Sequence, residues 1–434
     1  MWSVDEHLED ILAAVRPLEP IELQLLDAQG CVLVEDVTVP VSLPPFDNSS
    51  MDGYAVRAAD VAGAGEEFPA VLTVVGDVAA GQGEPPTVGP GQAARIMTGA
   101  PLPPGAEAVV PVEWTDGGLG EGPVSGMRAH SAAPEGASGE VRVYRPAKPG
   151  AHVRARGSDV RAGDRALTAG TVLGAPQIAL LAAIGRGTVS VRPRPRVVVL
   201  STGSELVQPG EELAEGQIYD SNSFSLTAAA REAGAIAYRV GAVADDAETL
   251  RSTIEDQLIR ADLVVTTGGV SVGAYDVVKE ALSAIGDPDD DKGLGAGGGV
   301  EFRKLAMQPG KPQGFGTIGP DHTPLLALPG NPVSSYVSFE VFVRPAVRTL
   351  MGLPDVHRTT TRARLAGADA LTSPSGRRQF LRGRHDAGAG TVTPVGGSGS
   401  HLVAALAQAD ALIVVPEDTT SVEPGAEVDV VLLG

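Results

Sequence analysis

The sequence predicts a multidomain α/β plus β protein: a three-layer α/β domain flanked by an inserted small β domain and a C-terminal β-barrel-like domain. Three observations predict it. With 434 residues, 43% of them hydrophobic and 20% charged, the chain is globular and too long for one core. Between Arg194 and Leu350 apolar runs alternate with helical periods, the pattern of strands crossed by helices. On either side, Val-, Gly- and Pro-rich stretches show no sustained helical period, as expected of small all-β units.

The elements follow in order. Ser3 and Glu6 have capping-box spacing, and Leu8, Ile11, Leu12 and Val15 share one face of an opening helix that ends before Pro17. Short β-type runs occupy Ile21 to Val39, and the dense segment Pro44–Arg57 (PPFDNSSMDGYAVR) follows. Residues 58–145 read as the inserted β unit, with a loose glycine-rich loop from Trp114 to Glu140. A second β-like piece, Pro149–Leu173, leads to an apolar helix around Gln177–Ile184. These runs divide the chain into a discontinuous N-terminal domain (1–57 and 146–173), the insert (58–145), the α/β domain (174–352) and a C-terminal β domain (357–434).

Within the α/β domain, Arg196–Leu200 (RVVVL) is a strand buried on both faces. Helix Ser221–Ala233, strand Ala235–Val243, helix Ala247–Arg260, strand Leu263–Thr267 and helix Tyr275–Ile285 follow, and the sheet is read as open and parallel. After an acidic insertion (Asp287–Gly299), strands are expected near Val300–Met307 and Leu325–Leu328. Asn331 and Pro332 then stand in the right order to cap and begin a long helix to Leu350. The C-terminal unit is clearest at Leu412–Val415 and Val428–Leu433.

A net charge of −21 argues against nucleic acid as a partner, because phosphate neutralisation supplies most of that affinity. It also requires that any anionic ligand meet a local reversal of charge. Cys31 is the only cysteine, so there is no intramolecular disulfide and no paired-cysteine metal site; a small buried apolar role is expected. The N-terminus MWSVDEHLED carries acids where a signal peptide needs bases, and no apolar run reaches transmembrane length. The expectation is a cytoplasmic protein with no membrane partner.

In an open α/β sheet, ligands bind beyond the carboxyl ends of the strands. Two polar turns fall there: Ser201-Thr202-Gly203-Ser204-Glu205-Leu206, and the segment from Gly268 and Gly269 through Ser271 and Gly273 to Asp276. Glycines allow close backbone approach, and N–H groups opening a helix favour an anion; a tight connection is the plain alternative. Glu205, Asp245, Asp246 and Asp276 all follow strands, and convergent carboxylates beside a phosphate suit Mg²⁺. Asp246 is equally placed to be a simple helix cap. Lys304 and Lys311 flank a Pro-Gly turn in KLAMQPGKP, and SGRRQFLR (Ser375–Arg382) adds three arginines able to bind an oxyanion. Nothing indicates a protein nucleophile.

At this point the motifs resemble one family, the MoeA-type molybdopterin molybdenumtransferases, which include the C-terminal domain of gephyrin. The resemblance rests on PPFDNSSMDGYAVR, RIMTGAPLPPGAEAVV (Arg95–Val110), STGSEL (Ser201–Leu206), GQIYDSN (Gly216–Asn222), TTGGVSVGAYD (Thr266–Asp276), QPGKP (Gln308–Pro312) and LPGNPVS (Leu328–Ser334), in family order. It implies a four-domain subunit that forms a homodimer. It further implies a molybdopterin-binding α/β domain that takes adenylated molybdopterin, possible receipt of that substrate from an adenylyltransferase of the pathway, insertion of molybdate and release of AMP with the help of Mg²⁺. Carried over by position, Glu205, Asp245 and Asp276 match the family's metal and phosphate cluster, and Lys304 and Lys311 its basic loop. Ser201, Thr202, Gly203, Gly268, Gly269, Ser271, Gly273 and Pro309 match its substrate-binding turns. Ser334 and Arg377 lie where molybdate contacts are expected. Asp52 and Thr98, and more loosely Asp159, match residues reaching the partner subunit's site. The departure is Gln308, where many members have a second basic residue, so that Gln308→Lys is expected to strengthen the hold on molybdate by about 1 kcal/mol. Two alternatives stand beside this reading: a molybdopterin adenylyltransferase-like step of the same pathway, which needs the α/β domain alone, and a gephyrin-like scaffold.

Overall fold

The computed structural model describes residues 1–81, 84–120, 122–127, 139–244, 246–269, 281 and 299–434. Its centre is a six-stranded sheet in the order Ile236–Val243, Arg196–Thr202, Leu263–Thr267, Thr323–Leu328, Pro312–Ile318, Val300–Lys304. The first four strands are parallel. Pro312–Ile318 is antiparallel to both of its neighbours, so the sheet is mixed rather than wholly parallel. That strand is not expected from the sequence, because the two glycines of QGFGTI interrupt any apolar alternation. Its reversal has a consequence for the site: the Lys304–Pro312 connection emerges at the same edge as the carboxyl ends of the parallel strands.

Successive residues of each strand point to opposite faces and bury against different helices. Val197, Val199, Leu263 and Val265 join the core shared with Asn222–Glu232 and the long helix after Pro332, while Val198, Leu200 and Val264 pack with Leu250 and Ile254 of Ala247–Leu258. The three layers expected from the sequence are present. The expected helix Tyr275–Ile285 lies outside the described residues except for Ala281.

The N-terminal helix Val4–Ala14 opens as its spacing predicts: the Ser3 hydroxyl accepts from the Glu6 amide and the Glu6 carboxylate accepts from the Ser3 amide. Ile11 and Val15 sink into the central core. The long helix begins at Pro332 and passes through a π turn, Phe339–Val343, to Leu350. Asn331 holds the cap position ahead of Pro332 as expected but makes no side-chain capping bond, and the Val333 amide instead donates to the carbonyl of Ser400 at 2.9 Å, from the C-terminal unit.

A five-stranded sheet is ordered Ala108–Pro111, Gly53–Val56, Gln92–Ile96, Ala70–Val78, Gly139–Val143, so the tail of PPFDNSSMDGYAVR lies inside the sheet and not in a loop before it. Near it, Asn48–Ser49 pairs with Val153–Arg154 and Val37–Thr38 with Arg165–Leu167. In the C-terminal unit, Arg378–Asp386, Thr391–Pro394, Thr360–Leu365, Glu427–Leu432 and Ala411–Val415 pair in turn, and the last pairs back to the first. The barrel therefore closes. Cys31 is buried among Ala28, Leu33 and Leu173. No described helix is long and apolar enough to cross a membrane.

His7 is the polar exception in the central core. It is 1% exposed, edge-on to Phe315 and Phe342, with the Arg303 guanidinium 3.4 Å from its Nδ1. Burial first, and the Arg303 charge second, push its pKa down from 6.5 to about 4. The unfolded chain thus binds the proton more readily, and the stability this confers is complete above about pH 6.5 and is lost as the pH falls towards 4. Unfolding in urea at pH 7 and pH 4.5 should differ by up to about 3 kcal/mol through this group, and His7→Gln should flatten that difference. An equal pH slope in the variant would show that His7 is not the group responsible.

Candidate functional site

A cleft of about 550 Å³ opens at the carboxyl ends of Arg196–Thr202, Leu263–Thr267 and Thr323–Leu328. A larger hollow, about 870 Å³, lies at the amino ends of the same strands beside the Arg196–Asp262 ion pair. The chemistry favours the smaller one, since parallel strands gather their polar turns at the carboxyl edge.

The floor of the cleft is organised by Asp220, 1% exposed, which lies just before helix Asn222–Glu232. It accepts from the Ser201 hydroxyl at 2.8 Å, from the Ser223 amide at 3.1 Å and from the Ser223 hydroxyl at 2.5 Å, and Arg239 stands 3.9 Å away. Asn222 extends the scaffold: its amide donates to the Thr267 hydroxyl at 3.1 Å and to the Gly330 carbonyl at 2.7 Å. Three turns are thereby fixed to one another. Gly268 passes so close to Thr202 that a Cβ would meet the Thr202 carbonyl oxygen at 2.4 Å, and its φ of +98° also favours glycine. The Thr202 hydroxyl is buried and has no hydrogen-bond partner.

The sequence-predicted residues divide into three sets. Thr202, Gly203, Glu205, Gly268 and Gly269 line the cleft. Ser201 does not reach it as a ligand, because its hydroxyl is spent on Asp220. A side chain at Gly203 would collide with the Glu205 carboxylate, whose oxygen lies 2.7 Å from the position of a Cβ there. Glu205 makes no ion pair among the described residues. Asp245, Ser271, Gly273 and Asp276 lie outside the described residues. Asp246 is a helix cap, accepting from the Thr249 amide at 2.8 Å and its hydroxyl at 2.5 Å.

The second set is the basic loop. Two of the chain's five lysines, Lys304 and Lys311, stand here. Lys304 pairs in register with Pro312, which lines the cleft, although neither lysine does. Pro309 and Gly310 are buried, and the Gln313 amide fixes the turn by donating to the Gly310 carbonyl and the Ser338 hydroxyl. Met307–Gln308 pairs with Arg378 and Gln379 of the barrel. Gln308 accepts from Arg377 at 3.2 Å, so the neutral residue orients one of the expected cations. Lys304, Lys311 and Arg377 form no ion pair among the described residues, whereas Arg378 is bonded to Asp5 and Glu417. Arg382 is also not a ligand: it is buried and donates to the carbonyls of Val395, Gly397 and Gly399. Ser334, 4% exposed, lies in the first turn of the long helix and is not in the cleft wall.

The third set lies apart from this cleft. The Asp52 carboxylate accepts from the Thr98 amide at 2.7 Å and hydroxyl at 2.8 Å, forming an exposed pair in the N-terminal half. Asp159 is exposed nearby in sequence to neither.

Sequence reasoning missed Asp220, Asn222 and His401. The first two fall in GQIYDSN, which carried the resemblance but was given no role. His401, in the cleft wall, had no signal: it is a lone histidine after a glycine-rich run. Asp220→Ala leaves the Ser201 and Ser223 hydroxyls and the Ser223 amide without their acceptor and removes the counter-charge near Arg239, and should cost about 2 kcal/mol in chemical denaturation. A loss below about 0.5 kcal/mol would show that Asp220 does not hold the floor together.

The chain matches three family descriptions in order: MoeA N-terminal region (domain I and II) over residues 2–185, probable molybdopterin binding domain over 198–349, and MoeA C-terminal region (domain IV) over 363–433. It is 46% identical over 430 residues to molybdopterin molybdenumtransferase 2 of Mycobacterium tuberculosis, covering 99% of each chain. It is 33% identical to molybdopterin molybdenumtransferase of Bacillus subtilis, covering 99% of this chain and 94% of that one. Among solved structures, a molybdopterin biosynthesis MoeA protein from Pyrococcus horikosii superimposes with a TM-score of 0.73 at 33% identity, covering 100% and 99% of the two chains. The chain belongs to the MoeA family of molybdopterin molybdenumtransferases.

Proposed function

We propose that the cleft binds adenylated molybdopterin and that molybdate is inserted at its dithiolene with release of AMP. The observation that carries this reading is the polar cleft at the carboxyl ends of the parallel strands with the basic loop brought to the same edge, where Lys304, Lys311 and Arg377 form no ion pair among the described residues. Unpaired cations beside a polar cleft suit an oxyanion in one place and a phosphorylated ligand in the other. Among the residues themselves, the turn at Gly268 lets the backbone approach the substrate. Arg377, oriented by Gln308, and the two lysines gather molybdate.

The donor chemistry fits Mg²⁺: Glu205 is a carboxylate in the cleft wall with no counter-charge among the described residues, and Mg²⁺ is commonly held by one or two carboxylates with substrate phosphates. Asp245 and Asp276 are the proposed further ligands. Bound there, Mg²⁺ would neutralise phosphate charge as AMP departs. Glu205→Gln should raise the Mg²⁺ concentration required for AMP release while leaving the melting temperature near that of the parent. An unchanged Mg²⁺ titration would remove Glu205 from the set.

We further propose a homodimer acting in the cytoplasm, in which Asp52 and Thr98 serve the partner's cleft, and an adenylyltransferase of the pathway as the source of substrate. At a Mg²⁺ concentration too low for Glu205→Gln alone to turn over, mixing Asp52→Ala and Glu205→Gln subunits should then restore roughly a quarter of the activity, because half of the dimers are mixed and each carries one intact site. No recovery from a mixture shown to exchange subunits would mean that Asp52 does not serve the partner's cleft.

The Arg377–Gln308 contact changes the expectation for the basic loop. Gln308→Lys removes the acceptor that orients Arg377 and sets two cations side by side, so it should raise rather than lower the molybdate concentration for half-maximal cofactor formation. Lys311→Ala should raise it about fivefold or more. If Lys311→Ala leaves that concentration unchanged, the oxyanion site is elsewhere.

A further inference from the structure

We propose that His401, supplied by the C-terminal barrel, is a phosphate-binding residue of the cleft; the inference rests on the reading of the substrate as an adenylate. The need for such a group is visible in the wall. Its Glu205 carboxylate has no ion-pair partner among the described residues, and among those residues neither lysine nor arginine lines it. Asn222 cannot serve, since its amide already donates to Thr267 and Gly330. Among the described lining residues, His401 is the only imidazole, and its ring N–H can donate to a phosphate.

Its backbone is held as a binding residue requires. Arg382, 3% exposed, spends its guanidinium on the carbonyls of Val395, Gly397 and Gly399, and no carboxylate pairs with it among the described residues. A buried cation bound only to one loop's carbonyls makes that loop's shape its function. The next carbonyl along, Ser400, accepts from the Val333 amide and docks the loop on the first turn of the long helix, where Asn331 and Pro332 also line the cleft. On the far side the His401 carbonyl accepts from Val403 at 2.9 Å, opening the short helix Val403–Ala407. A Cβ at Gly399 would lie 3.0 Å from His401 Cε1, so the glycine leaves the ring room beside the loop. Arg382 is thus a positioning residue, and His401 the group it presents.

The test compares AMP with adenosine, which lacks the phosphate, by calorimetric titration of the full-length protein and its variants. The parent should bind AMP more tightly than adenosine. His401→Ala should lose about tenfold in AMP affinity with adenosine unchanged, and His401→Gln, which keeps a neutral N–H donor, should recover part of the loss. A matched melting temperature confirms that the variants are folded. AMP affinity unchanged in His401→Ala overturns the proposal, as does an equal loss for AMP and adenosine, which would make His401 a mere wall. If the parent binds neither compound and forms no cofactor, the adenylate reading itself fails, a result distinct from failure of His401 alone.

Discussion

Asp220 is an acid taken out of water at the point where three turns meet, and the geometry of the cleft follows from how its charge is satisfied. A buried carboxylate is tolerated only when its oxygens are filled by donors. Here those donors come from Ser201 at a strand end and Ser223 at a helix start, with the charge of Arg239 on the neighbouring strand 3.9 Å away. Satisfying Asp220 therefore fixes strand, loop and helix together, and Asn222, next to the helix start, carries the same constraint to Thr267 and Gly330. Close passage of Gly268 over Thr202 becomes possible because both turns are already located. The site is rigid by hydrogen bonding, not by apolar packing.

Charge placement is the second constraint. In a chain of net charge −21 an anion needs cations placed locally, and the Lys304–Pro312 connection brings two lysines to the edge where the cleft opens. The single reversed strand makes this possible. Because Pro312–Ile318 runs against its neighbours, the turn preceding it, with Lys311, arrives at the same edge as the cleft. A wholly parallel sheet would have carried that turn to the other end.

Much of this was legible in the sequence, and the parts that were not share a cause. RVVVL and LVVTT could be read as buried strands because both faces are covered, and Ser3 with Glu6 could be read as a cap because the motif is local. Strand Pro312–Ile318 was hidden by its glycines. Asn331 holds the cap position ahead of Pro332 as its order in sequence predicts, but the partner of the first turn, the Ser400 carbonyl accepting from Val333, is 67 positions away and has no side-chain signature. Asp220 looked like one acid among 54 acidic residues, since nothing local shows that it is buried. The role of Gln308 was read only as a missing charge, because its partner Arg377 belongs to another unit. Local chemistry was readable; pairings between distant segments were not.

Those distant pairings also bear on why an α/β domain alone would not reproduce this site. The N-terminal segment, the lysine loop and the barrel are bound into one assembly. Trp2 donates to the Lys304 carbonyl at 3.1 Å and accepts from Ala306 at 2.8 Å, and its ring lies under Arg303 at 3.7 Å. Asp5 of the first helix takes both arms of Arg378, at 2.7 and 2.8 Å, from the barrel strand that pairs with Met307–Gln308. The loop holding the free lysines is thus set from both sides by elements outside the sheet it connects. Removing either flank would leave the sheet's carboxyl edge intact but free its cations to move, and a bidentate or multi-point hold on a small oxyanion depends on their mutual positions. An adenylyltransferase needs a nucleotide cleft. The proposed loading of an oxyanion onto a nucleotide-bearing substrate requires, in addition, a second cluster of charge held near that cleft, and the flanking units fix the loop to which that role is proposed.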